Sequence, residues 1–184
     1  MDFILQGAGV FIYPLGFCSV VALFIIVERL IALRKSNVAP DNLAAALMAE
    51  GAEAVPEGNS SLARIVKFFN ENNPGAEELK AYARLEMARL ERGMFLLDAA
   101  IAAAPLLGLL GTVAGLVSVF SGGDVPSQEA ISRGVGLALS TTILGLSISI
   151  PAILGNLFLF RRIDNLCALL EICAEHLASR AQKK

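Results

Sequence analysis

Charge is scarce in this chain of 184 residues: 17% are Asp, Glu, Lys or Arg and 55% are apolar. That balance is too apolar for an ordinary soluble domain of this size. Three long stretches carry no charge at all, Phe3 to Val27, Ala99 to Gly123 and Gly134 to Phe160. Each exceeds the roughly 20 residues an α-helix needs to cross about 30 Å of hydrocarbon. The expectation is an all-α membrane protein with three transmembrane helices, embedded in a lipid bilayer.

Other absences narrow the function. The net charge is -2, and no dense Lys/Arg cluster alternates with aromatics, so nucleic acid has no electrostatic footprint here. The three cysteines, Cys18, Cys167 and Cys173, sit at no zinc-like or redox spacing and read as small buried apolar side chains. The single histidine, His176, stands alone on a helical tail and reads as solvated. No His/Asp/Glu cluster, Ser/His/Asp set or phosphate-binding glycine loop lies near a membrane face, which argues against an enzyme and leaves no metal or cofactor to expect. The basic start and small-residue cleavage site of a secretory leader are missing too. Asp2 is the only early charge and Glu28-Arg29 closes the first run, so that segment reads as a retained helix.

Basic residues give the orientation. The segment Arg29 to Arg92 and the tail from Arg161 hold every Lys and Arg except Arg133. Cytoplasmic loops are enriched in these residues. The expected order is an outer N-terminus and first span (1–31), a cytoplasmic segment (32–92), the second span (93–120), an outer turn (121–132), the third span (133–160) and a cytoplasmic helical tail (161–184). The turn, Ser121-Gly122-Gly123-Asp124-Val125-Pro126-Ser127, has the composition of a tight connection.

Between Ser36 and Ser60, Pro40, Pro56 and Gly58 bracket one short Ala-rich helix from Leu43 to Ala49, and the stretch reads as connector rather than core. From Ala76 to Arg92, Leu79, Ala83, Met87 and Leu90 share one face, while Glu78, Lys80, Arg84, Glu86, Arg89 and Glu91 spread over the remaining surface. That period predicts a helix running directly into the second span. Ile163, Leu166, Leu170, Cys173, Ala174 and Leu177 repeat the pattern in the tail. Helices half apolar yet surrounded by water need a cover, and packing against each other or against further copies supplies it.

Within the spans, small and hydroxyl-bearing residues form stripes. Ala104, Gly108, Thr112 and Gly115 follow at steps of four, four and three on one face of the second span. Gly134, Ala138, Thr141, Gly145, Ser149, Ala152 and Asn156 do the same in the third, with Ser140, Thr142 and Ser147 nearby. Two readings are open. Such stripes let transmembrane helices pack closely, a Thr hydroxyl bonding its own helix. Neutral oxygens on two helices also suit an ion pathway, because they exchange with a hydration shell without holding the ion too tightly. The pathway candidates are Thr112, Thr141, Thr142 and Ser149. The packing candidates are Gly108, Gly111, Gly115 and Gly145, with Pro105 and Pro151 each removing a helix hydrogen bond.

Neither stripe contains a carboxylate, and a proton relay through a bilayer normally needs a titratable group near its middle. Asp98, at the start of the second uncharged run, suits an interfacial or packing role. Glu28 and Arg29 suit anchoring at the headgroups.

Three strings carry a resemblance across nearly the whole chain. They are Tyr13-Pro14-Leu15 through Cys18-Ser19-Val20 to Glu28-Arg29-Leu30, Ala104-Pro105-Leu106-Leu107-Gly108-Leu109-Leu110-Gly111-Thr112-Val113, and Leu139-Ser140-Thr141-Thr142-Ile143-Leu144-Gly145-Leu146 followed by Ile150-Pro151-Ala152. The chain resembles the MotA/TolQ/ExbB proton channel family, and its three-span ExbB and TolQ branch most. The resemblance implies a homopentamer in the bacterial inner membrane, surrounding the helices of a dimeric ExbD- or TolR-like single-span partner whose membrane aspartate carries the ion. It also implies that Thr112 and Thr142 face the inside of the ring, and that ion flow drives work on an envelope process. One position departs: many such chains carry a glutamate five residues before the threonine matching Thr142, and this one has Leu137. That leaves room for a sodium-coupled member beside a proton-coupled one, and a non-conducting scaffold is the remaining alternative.

Overall fold

The computed structural model describes residues 9–49, 58–120 and 127–181. Half of the outer turn expected at 121–132, residues 121–126, lies outside them. A 3-10 turn, Gly9–Phe11, leads into helix α1 (Ile12–Ala32). There follow α2 (Lys35–Val38), α3 (Asp41–Ala49), α4 (Ser61–Asn72), α5 (Ala76–Leu90), α6 (Met94–Phe120) and α7 (Gln128–Ala181). No strand occurs among the described residues. Three helical runs are long and apolar enough to span a bilayer, in α1, within Ala76–Phe120 and in α7. The protein is an all-α, multi-pass membrane protein.

The helix predicted to run directly into the second span does so through a short turn at 91–93, which joins α5 to α6. Gly93 adopts φ +91 and the Arg92 N–H donates to the Arg89 carbonyl at 3.3 Å. A left-handed residue ends the regular ladder, and glycine takes that conformation without a Cβ clash.

The described residues group into two compact units, one within Met1–Val27 and Gly93–Leu157, the other within Glu28–Arg92 and Phe158–Lys184. In the first, Leu15 and Cys18 of α1 pack on Ala104 of α6, joined by Phe11, Ala103, Leu107, Leu144 and Ile148. The outward positions are large and greasy: Phe17, Phe24, Leu109, Val113, Ile143 and Leu154 are all more than half exposed. In water such a surface would drive association; in hydrocarbon it is matched by the solvent, and the interior is left to small residues.

In the second unit the buried face of α5 is Leu79, Ala83 and Leu90, and that of the tail is Ile163, Leu166, Leu170, Cys173, Ala174 and Leu177. These are the expected positions, apart from the half-buried Met87. Full burial of each leucine is worth about 1.5–3 kcal/mol. Two differences stand out. The stretch read as connector contributes Leu43, Ala44 and Leu47 to the core. The second difference is α4, an amphipathic helix capped by the Ser60 hydroxyl, which accepts from the Ala63 N–H at 3.1 Å. It buries Leu62, Ile65, Val66 and Phe69 and stacks Phe68 on Tyr82 of α5, ring centroids 4.1 Å apart.

Helix α4 also changes the environment of Glu86, which the α5 pattern places on the polar surface and which the structure buries completely. Arg64 of α4 explains it. Its Nε and Nη2 donate to Glu86 Oε2 at 2.8 and 2.6 Å, and Arg89 Nη1 donates to Oε1 at 2.5 Å. A carboxylate tolerates burial when both oxygens receive charged donors. His176 is half-buried rather than solvated. Burial raises the Cys173 thiol pKa, and burial with the nearby Glu91, Asp164 and Glu171 raises that of Cys167.

Candidate functional site between helices α6 and α7

Glycine sets how near α6 and α7 come. A Cβ on Gly145 would lie 2.5 Å from the Ala104 carbonyl oxygen, one on Gly108 2.9 Å from the Thr141 carbonyl oxygen, and one on Gly111 2.6 Å from Thr141 Oγ1. Gly115 sits against Ala138, at 3.3 Å. The close-packed face of α6 is therefore Ala104, Gly108, Gly111 and Gly115. Gly111 takes the place the sequence stripe gave to Thr112, which lies half-buried beside it. On α7 the stripe from Gly134 through Ala138, Thr141, Gly145, Ser149 and Ala152 is buried throughout, and Asn156 is half-buried.

Hydroxyl groups cross this seam. Thr141 is 2% exposed, and its Oγ1 stands 3.0 Å from the Gly108 carbonyl oxygen and 2.7 Å from that of Ala138. Thr142 Oγ1 reaches the same Gly108 carbonyl at 3.3 Å. Ser149 Oγ donates to the Ile101 carbonyl at 3.1 Å. That carbonyl needs a donor, because the residue four positions on is Pro105, which has no N–H. Pro151 lies on the exposed side of α7. Thr112 Oγ1 donates within its own helix to Leu109 at 2.6 Å.

The four hydroxyl candidates thus fall into two kinds. Thr141 and Ser149 are buried in the α6–α7 seam of a single chain, whereas Thr112 and Thr142 are only half-buried. A threonine hydroxyl that donates to a carbonyl keeps oxygen lone pairs able to accept a proton donor or face a cation. At the end of the seam, Asn156 Nδ2 donates to the exposed Asp98 at 2.8 Å. In the second unit Glu28 and Arg29 pair with each other at 2.6 Å, as side chains at the end of a span. Among the described residues there is no group of three His, Cys, Asp or Glu able to hold a metal.

Three spans with a glycine-set seam, neutral hydroxyls and no acid inside define a multi-pass helical membrane protein built on polar packing rather than internal charge. Comparison with known proteins places it further. The model of the MotA/TolQ/ExbB proton channel family matches residues 62–172, more than half of the chain. The biopolymer transport protein ExbB-like 1 of Synechocystis sp. is 36% identical over 173 residues, covering 84% of this chain and 68% of that protein. The biopolymer transport protein exbB1 of Vibrio cholerae serotype O1 is 29% identical over 191 residues, covering 90% and 82%. The biopolymer transport protein ExbB of Aquifex aeolicus is 33% identical over 103 residues, covering 54% and 68%. The chain belongs to the MotA/TolQ/ExbB proton channel family.

Proposed function

We propose that this chain is the ion-conducting subunit of an ExbB/TolQ-like motor in the bacterial inner membrane. Five copies, with N-termini outside and C-termini in the cytoplasm, surround a dimer of an ExbD/TolR-like single-span partner. The partner's membrane aspartate takes up and releases a proton, and the movement that follows works on an envelope process. The observation that carries this reading is the pair Thr112 and Thr142, half-buried hydroxyls on adjoining helices inside runs that hold no acid of their own. Such a wall offers neutral oxygens to a passing ion and leaves the titratable group to the partner. Thr141 and Ser149 form the inner layer of the same wall, fixing α6 against α7 behind it.

Two narrower alternatives have an observation each. Leu137 in place of the glutamate of many relatives favours sodium coupling, since one titratable group fewer lines the route. The engagement of Thr141 and Ser149 with α6 carbonyls favours a non-conducting scaffold in which hydroxyls serve packing alone. The experiment is ion flux in liposomes holding the purified chain, with and without its single-span partner, under a proton or a sodium gradient. The proposal expects a closed ring, with proton flux only when the partner is present. Sodium-only flux selects the first alternative, and a ring inert under both gradients the second.

A further inference from the structure

Where the third uncharged run ends at Phe160, the next two residues are Arg161 and Arg162. They line an open cleft of about 230 Å³ with Phe158 and Asn165. The two arginines are held differently. Arg162 is half-buried and its Nε donates to the Leu33 carbonyl at 2.8 Å, which fixes the guanidinium and leaves its other N–H groups uncommitted among the described residues. Arg161 is exposed, and its side chain makes no hydrogen bond or ion pair among the described residues. The side chain of Arg34, next to Leu33 in the chain, is likewise exposed and unpaired among them. Asp164, one helical turn beyond Arg161, is the nearest acid along α7 and forms no ion pair with it. Other cations nearby in sequence are already neutralised: Arg29 pairs with Glu28 and Lys35 with Asp41.

We propose that this cleft binds the phosphate of an anionic phospholipid. Guanidinium groups match phosphate oxygens in charge and in fork geometry. Phe158, 56% exposed beside them, gives the acyl chain an apolar contact that a free phosphate would not use. The cleft lies where the chain leaves the hydrocarbon, the level of the headgroups, and basic groups there attract anionic lipid. Arg162 is the positioned half of the site and Arg161 the free half. The inference rests on membership of a membrane family alone and stands apart from the ion pathway.

The test uses the full chain in non-ionic detergent, titrated with phosphatidylglycerol, phosphatidylcholine or inorganic phosphate and read by native mass spectrometry. Phosphatidylglycerol is expected to bind more tightly than phosphatidylcholine, and Arg161→Gln to weaken it about fivefold, the scale of one basic group at a membrane surface. Arg161→Lys should keep most of the affinity. Arg180→Gln, a charge removed elsewhere on the same helix, should change nothing. Arg161 is the chosen position because its side chain holds no other element, whereas Arg162→Gln would also release Leu33. Equal binding of both lipids would overturn the site. So would full competition by inorganic phosphate at equal concentration, an unaltered affinity in Arg161→Gln, or an equal loss in Arg180→Gln.

Discussion

The Ser149 hydroxyl donates to the Ile101 carbonyl at 3.1 Å, filling the place left by the N–H that Pro105 lacks. A proline within a span is tolerated where a neighbouring helix satisfies the freed carbonyl, and here one hydroxyl does so across the seam. Ser149→Ala should destabilise the α6–α7 pair by about 0.5–2 kcal/mol. In a Pro105→Ala background Ile101 regains its own helix donor, so the cost of Ser149→Ala should shrink. A double-mutant cycle of unfolding in detergent checks this; equal costs in both backgrounds would remove the link between the two residues.

Glycines divide sharply by position. Gly145→Ala places a methyl 2.5 Å from a backbone oxygen that cannot rotate away, and the helices must separate. A loss of about 1–3 kcal/mol is expected, the scale of overpacking. Gly16 in α1 has nothing within 4 Å of the same position, so Gly16→Ala should be neutral or slightly stabilising. Thermal unfolding of the two variants side by side is the check.

Glu86 is the buried charge of the second unit. Glu86→Gln keeps the shape but loses the charge that Arg64 and Arg89 approach at 2.6 and 2.5 Å. Both arginines are partly exposed and can turn to water, so the expected cost is about 1–3 kcal/mol rather than that of a fully stranded ion. Protease sensitivity of the segment around α4 should rise with it.

Cys167 and Cys173 have raised thiol pKa values, with burial as the first cause. Both should react slowly with a thiolate-selective reagent at neutral pH, Cys173 the slower because it is buried. Below the ordinary thiol pKa both states are protonated and nothing changes. Above it the unfolded chain releases protons that the folded chain keeps, so stability falls as pH rises. Labelling rates and unfolding across alkaline pH test both statements.

Much of this architecture can be read from residue order because bilayer and core each impose a period. Uncharged runs mark the spans, and the tail positions Ile163 to Leu177 are buried at the expected helical spacing. The α7 stripe from Gly134 to Ala152 is likewise buried as written. What periodicity cannot fix is which of two adjacent small residues faces the seam. Gly111 and Thr112 are both compatible with the pattern, and a close approach to Thr141 selects Gly111. Helix α4 carries a legible signal, a Ser60 cap before Leu62, Ile65, Val66 and Phe69, yet it sits in a polar stretch between stronger patterns. Glu86 was illegible without it, since its burial depends on a partner 22 residues away. The Gly93 break was hidden because the residues on either side are themselves good helix formers.

Ion flux through the complex of this chain and its single-span partner, with threonine or valine at position 142, separates a conducting hydroxyl from one that only packs. Valine keeps the volume and removes the oxygen, and Thr142 contributes only a 3.3 Å hydrogen bond to Gly108, so assembly should survive. An intact ring is expected in Thr142→Val, with ion-dependent flux reduced at least about tenfold, a barrier change of about 1.4 kcal/mol. Unchanged flux through an intact Thr142→Val ring would contradict it.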